Sequence, residues 1–188
     1  MQFELAVLGT SLGGLRALET ILVALPPQLS FAIAIVQHRH RWSDGELVSH
    51  LQQQTSLPIS EATDKGTITP GHIYLAPADY HLLVEKAGYF ALSTDAPVCY
   101  ARPAIDVLFE SAADAYGKQT IGIILTGASH DGAQGLASIQ AAGGLTIVQD
   151  PLTAESTTMP KAAIAAVPTA RILSLTEIAA FIIELSNV

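Results

Sequence analysis

The chain reads as an α/β protein of three layers: a mostly parallel, doubly wound sheet between helices, with an antiparallel hairpin or meander inserted. Three features point there. Short runs are apolar at every position, as in Leu5-Ala6-Val7-Leu8, in residues 31–36 and in Ile123-Ile124-Leu125, which suits strands covered on both faces. Stretches with apolar residues at helical spacing separate those runs. Between residues 71 and 93 the alternation gives way to short strand-like pieces joined by turns.

Residues 3–8 form the first expected strand. A helix over 12–25 follows, with Leu15, Leu18, Ile21, Leu22 and Leu25 on one face, and stops at Pro26-Pro27. Residues 31–36 are a second buried strand, 44–54 a helix and 58–61 a short strand. Residues 71–76, 81–85 and 89–93 form the expected meander, punctuated by Pro77-Ala78-Asp79 and Lys86-Ala87-Gly88. Alternation then resumes. Residues 103–116 read as a helix with Pro103 near its first turn, and 122–125 as a strand. Residues 131–142 are a helix ending at Gly143-Gly144, and 145–148 a strand. Residues 160–166 are a short helix, 172–173 a strand remnant and 176–185 a closing helix. With no repeats, low-complexity segments or long linkers, residues 1–188 are expected to make a single domain.

Nearly half of the 188 residues are apolar and 14% are charged, which describes a compact chain and not a disordered one. A formal net charge of −8 argues against binding nucleic acid through its phosphates and against anionic lipid surfaces. The lone cysteine, Cys99, rules out an internal disulfide. No basic N-terminal start and no run long enough to span a bilayer occur. The expectation is a cytoplasmic protein without membrane insertion.

The chemistry gathers where such sheets place it, beyond the carboxyl ends of strands. Gly9-Thr10-Ser11-Leu12-Gly13-Gly14 follows the first strand. It suits a nucleophile turn that aims Ser11 outward beside a helix N-terminus. It equally suits a phosphate-cradling loop, or a tight turn packing helix on sheet. His38 follows the second strand and Asp131 the strand at 122–125. Alone, His38 reads as a strand-end histidine and Asp131 as a helix N-cap. Together the three make a triad arrangement of nucleophile, base and orienting acid. Their chain order, Ser…His…Asp, differs from the Ser…Asp…His of α/β hydrolases.

Other polar residues have plainer readings. Arg39, His40 and Arg41 form a basic loop that is either solvated or in contact with substrate. His72 and His81 suit local packing, Asp79 a turn, and Asp106 the dipole of its own helix start. His130 sits on a turn beside Asp131. No spacing suggests a zinc site, and neither a Walker A sequence nor a clean dinucleotide fingerprint is present.

These residues resemble the catalytic domain of the chemotaxis receptor methylesterases, the CheB type, over nearly the whole chain. The landmarks are residues 9–14, Val36-Gln37-His38, residues 70–77, residues 102–109, Leu125-Thr126-Gly127 with Asp131-Gly132, and Met159-Pro160. The resemblance implies a parallel-sheet α/β domain with an antiparallel hairpin, and a catalytic triad of Ser11, His38 and Asp131. It implies hydrolysis of glutamate methyl esters on chemoreceptor cytoplasmic domains, with glutamine deamidation in many members, and needs neither cofactor nor metal. Backbone N–H groups near Leu12 and Ala128 are the oxyanion candidates; Arg39 and Arg102 are the groove candidates. This sequence departs from the family pattern. Leu12 stands where Thr is frequent, Arg39 where Met is frequent, Ala104 for Ser, and Ala128-Ser129 for Met-Gly. The family's usual N-terminal receiver domain has no counterpart in the motifs, which implies either loss of the family's on/off control or its transfer to a separate response-regulator chain. The rival reading is a catalytically weak or inactive signalling module that keeps the fold and binds a receptor or other partner; a nucleotide-binding domain is a weaker third.

Overall fold

The computed structural model describes residues 3–39 and 46–187. The basic-loop residues His40 and Arg41, and Asp44 at the expected start of the second helix, lie outside the described residues. Among the described residues the elements follow the expected alternation. They are β1 (Leu5–Thr10), α1 (Gly14–Leu22), β2 (Ala32–Gln37), α2 (Glu46–Gln52), β3 (Ile59–Glu61), β4 (Ile73–Leu75), β5 (His81–Glu85) and β6 (Tyr89–Ser93). After these come α3 (Ile105–Tyr116), β7 (Thr120–Ile124), α4 (Ala133–Ala141), β8 (Leu145–Gln149), α5 (Thr158–Ala166), β9 (Arg171–Leu173) and α6 (Leu175–Ser186).

Seven strands pair in the order β3-β4-β2-β1-β7-β8-β9, all parallel. β5 and β6 form a separate antiparallel hairpin. The expected three-piece meander is therefore corrected to a two-strand hairpin: residues 73–75 join the main sheet between β3 and β2. Ile73, Tyr74 and Leu75 are all buried, and a strand buried on both faces belongs inside a parallel sheet, not in a hairpin with one solvated side.

Alternation of side chains puts Leu5 and Val7 of β1 into one core and Ala6 and Leu8 into the other. The first core is closed by α3, α4, α5 and the hairpin, through Phe109, Leu136, Met159 and Phe90. The second is closed by α1, α2 and α6, through Leu18, Leu51 and Ile178. α1 is shorter than expected: it begins at Gly14, after Gly13 at φ 79, so Leu12 lies outside it and Leu15 faces away from the core. Ser174 and Glu177 form a capping box at the start of α6, with the Ser174 hydroxyl accepting from the Glu177 N–H.

The chain builds outward from β1 through β2 and then crosses back to lay β7 on the other side of β1. The carboxyl end of β1 is thus the switch point of the sheet, where crossovers diverge and leave a crevice. β2 and β7 flank it directly.

Candidate active site

Ser11 is the first residue past β1. Its N–H donates to the Thr126 carbonyl at 3.0 Å, and its own carbonyl accepts from the Gly14 N–H at 2.9 Å. The turn is pinned to both neighbouring strands. Gln37 Nε2 at the end of β2 donates to the carbonyls of Ser11 and His38, both at 3.0 Å. On the β7 side, Thr126 Oγ1 donates to the Leu12 carbonyl at 2.9 Å and Thr10 Oγ1 to the Thr126 carbonyl at 2.8 Å. Gln149 Oε1, at the end of β8, accepts from the Thr126 N–H at 2.8 Å. These polar residues were not singled out as site residues from the sequence. Their signal was there: each is a hydrogen-bonding residue at the very end of an apolar strand, and burial obliges such groups to find partners.

Close approach explains Gly127. A Cβ there would lie 1.9 Å from Met159 Sδ and 2.9 Å from Ser11 Cβ. The buried Met159 thioether and the Ser11 turn leave room for hydrogen alone.

His38 follows β2, its N–H donating to the Thr10 carbonyl at 3.0 Å. The ring's Nε2 meets Asp131 Oδ2 at 2.7 Å, and the Asp131 side chain is fully buried. Asp131 does not cap its own helix. α4 starts after Gly132 with no side-chain cap, and the Asp131 carboxylate instead accepts the N–H groups of Ile105 at 2.7 Å and Asp106 at 2.9 Å. These are orphan donors of the first turn of α3. The carboxylate is held on two sides by backbone and has one oxygen facing the imidazole. With Nε2–H committed to Asp131, Nδ1 is the ring nitrogen left as a base. Among the described residues Ser11 Oγ makes no hydrogen bond; such contacts often tighten only with substrate in place.

Ser11 and His38 are the common wall of two adjoining clefts. The larger, about 920 Å³, also includes Arg39, Tyr100, Arg102 and Ala128; the smaller, about 620 Å³, includes Leu12, Leu15 and Glu155. Leu12 and Ala128 line these clefts, and among the described residues their backbone N–H groups donate to no protein acceptor.

The two groove candidates are differently placed. Arg39 is buried in the cleft wall; its Nη2 donates to Glu61 and, at 2.9 Å, to the Ala76 carbonyl. Arg102 lines the cleft, but its guanidinium is occupied by Asp79 at 2.7 Å and by the carbonyls of Thr94 at 2.7 Å and Asp95 at 3.0 Å. Asp79, expected in a turn, has φ 63 and adds that ion pair. His72 meets Ser60 Oγ at 2.9 Å and stacks on Tyr74, and His81 receives the Ala104 N–H on Nδ1 at 3.2 Å. Both serve packing.

Asp106 reaches beyond its own helix. Its Oδ1 accepts the Gly135 N–H of α4 at 2.7 Å. Burial is the main cause that raises its pKa from 3.8 to about 6; the Gly135 N–H opposes the rise and the Asp131 charge adds to it. Cys99 shares the cleft as a second candidate nucleophile. Burial, Asp131 and Asp106 all push its thiol pKa up, away from the nucleophilic thiolate form. The Cys99 sulfur and the Asp106 and Asp131 carboxylates gather within 4.8 Å of one another. Sequence spacing did not show this set, because the fold assembles it. Both carboxylates already accept backbone N–H groups.

Comparison with known proteins places the architecture. The family described as CheB methylesterase matches residues 6–182. A protein of Leptospira interrogans, provisionally named a protein-glutamate methylesterase/protein-glutamine glutaminase, is 48% identical over 187 residues. The match spans 100% of this chain and 97% of that one. Protein-glutamate methylesterase/protein-glutamine glutaminase 2 of Cupriavidus pinatubonensis is 42% identical over 166 residues, spanning 87% of this chain and 46% of that longer relative. The crystal structure of the Thermotoga maritima CheB methylesterase catalytic domain superposes with a TM-score of 0.93 at 32% identity, covering 98% of this chain and 100% of that one. With the family match spanning almost the whole length and the sheet order built around the Ser11 turn, this chain belongs to the CheB methylesterase family.

Proposed function

We propose that the protein is a serine hydrolase that removes methyl esters from glutamate side chains of a protein substrate, the cytoplasmic domain of methylated chemoreceptors, and that it deamidates glutamines at the same site. Ser11 is the nucleophile, His38 the base and Asp131 the orienting acid. The observation that carries this reading is the 2.7 Å contact between His38 Nε2 and the buried Asp131 carboxylate, beside the cleft that Ser11 lines.

Asp131 fixes the Nε2–H tautomer, so the unprotonated Nδ1 takes the Ser11 hydroxyl proton as Oγ attacks the ester carbonyl. The charge on the carbonyl oxygen is met by the Leu12 and Ala128 backbone N–H groups. His38 returns the proton to the departing methoxide, which leaves as methanol. Water, deprotonated by His38, then cleaves the acyl-enzyme to glutamate and free Ser11. With a carboxamide the leaving group is ammonia and the steps are otherwise the same. Backbone donors do not depend on side-chain identity, which reconciles this chemistry with Leu12 and Ala128 at those positions. A separate response-regulator chain is the proposed source of control.

The test is methanol release from a methylated chemoreceptor fragment. Ser11→Ala is expected to lower it by a factor on the order of 10⁴ or more. Undiminished release from that variant would sink the assignment. Loss of labelling by a serine-directed phosphonate in the same variant identifies the nucleophile directly. A wild-type serine that stays inert while the fragment binds tightly supports the non-catalytic module instead.

A further inference from the structure

Tyr100 stands fully in solvent, at 104% of its reference exposure, on the lip of the cleft that contains Ser11 and His38. It occupies a two-residue hairpin turn closed by the Val98 N–H to the Ala101 carbonyl at 3.1 Å and the Ala101 N–H to the Val98 carbonyl at 2.8 Å. Both central residues have positive φ, 49 for Cys99 and 64 for Tyr100. Turns of that kind favour Asn-Gly, because a Cβ is strained in the left-handed region. Here the position holds a large aromatic that, among the described residues, is left exposed. The turn is also held at its base, since the Arg102 guanidinium straps the chain to Asp79, Thr94 and Asp95. It is a braced projection carrying an exposed aromatic ring.

On the other side of Ser11 the chain exposes Leu12 at 55% and Leu15 at 40%. They line the second cleft, which joins the first at Ser11 and His38. Apolar contact surface therefore flanks the serine on both sides. A polypeptide laid through the two joined clefts across Ser11 and His38 passes both surfaces, Tyr100 on one side and Leu15 on the other.

We infer that the Cys99–Tyr100 turn is a docking finger for the polypeptide substrate of this site, Tyr100 packing on apolar side chains to one side of the glutamyl ester while Leu12 and Leu15 take those on the other. The inference rests on the esterase reading above and adds to it the surface that selects a protein over a free ester. Tyrosine is among the side chains that contribute most at protein interfaces, and the braced turn leaves its backbone little freedom to lose on binding.

The test compares kcat/KM on a methylated chemoreceptor cytoplasmic fragment with kcat/KM on p-nitrophenyl acetate. Tyr100→Asn removes the ring and keeps a residue that tolerates positive φ; Tyr100→Phe keeps the ring. Tyr100→Asn is expected to lower the protein-to-small-ester ratio about tenfold or more, through KM, with Tyr100→Phe restoring it. Leu15→Gln is expected to lower the same ratio. An unchanged ratio in Tyr100→Asn overturns the finger. If the wild type releases no methanol from the fragment, the esterase reading fails by itself. The finger is then judged by fragment affinity, and equal Kd values for wild type and Tyr100→Asn overturn it.

Discussion

Asp131 and Asp106 cap each other's helices. Asp131, just ahead of α4, accepts the first N–H groups of α3, while Asp106, in the first turn of α3, accepts the Gly135 N–H of α4. Two helix N-termini thereby converge on two buried carboxylates, a favourable field for negative charge. The catalytic candidate Asp131 is oriented by the first turn of α3, independently of His38.

That double duty separates two substitutions. Asp131→Asn retains an acceptor oxygen but presents an amide, which disturbs the His38 tautomer. It is expected to cost on the order of 10⁴ in kcat, and its single oxygen still accepts one of the two α3 N–H groups, so it loses less Tm than a full truncation. Asp131→Ala loses activity comparably and also leaves the start of α3 without its acceptor. That costs roughly 2 kcal/mol, or about 4–8 °C of Tm in a chain of this length. Calorimetry beside methanol release distinguishes them; equal Tm values for the two variants would show that the carboxylate does not hold α3.

Asp106 makes stability depend on pH. Its pKa is raised in the fold from 3.8 to about 6, so between those values the folded protein keeps a proton that the unfolded chain has released. The contribution of this group to stability therefore falls as pH rises through that window and levels off above it. Asp106→Asn carries no such titration. Its Tm, measured relative to wild type, is expected to climb from pH 4 to pH 7, and parallel Tm curves would refute the assignment.

Gly127 is set by contact and not by backbone conformation. Gly127→Ala places a methyl against Met159 and Ser11 Cβ. The thioether can bend away, but the serine turn is hydrogen-bonded on both sides. Displacing the nucleophile by a fraction of an ångström is expected to lower kcat at least tenfold. Adding Met159→Ala should recover stability and not kcat. Full recovery of both would place the whole conflict at Met159.

Much of the fold was legible in the chain because its strands are buried on both faces and read as unbroken apolar runs. β1, β2 and β7 are of that kind; Ser11 and His38 stand immediately beyond the first two, and Asp131 at the end of the loop that follows the third. The hairpin region was less legible. Residues 73–75 are as short as a hairpin strand, and only pairing with both β2 and β3 reveals a parallel neighbour. Leu12 and Leu15 fit a helical stripe in the sequence, yet the turn at Gly13 starts the helix at Gly14 and leaves both side chains outside the core.

Local order along the chain determined the alternating elements, the strand-end positions of the three candidate catalytic residues and the match to a family of esterases. Hydrophobic periodicity and turn residues act over a few positions, and they are written in the sequence itself. Tertiary structure alone decided that Asp131 caps α3 and not α4, that Asp106 caps α4, that Arg102 braces a turn, and that Tyr100 stands free at the lip of the cleft. Those facts depend on which groups burial leaves seeking a partner. Ile105 and Asp131 are 26 residues apart, Asp106 and Gly135 29, and Arg102 and Asp79 23, beyond the reach of any local pattern.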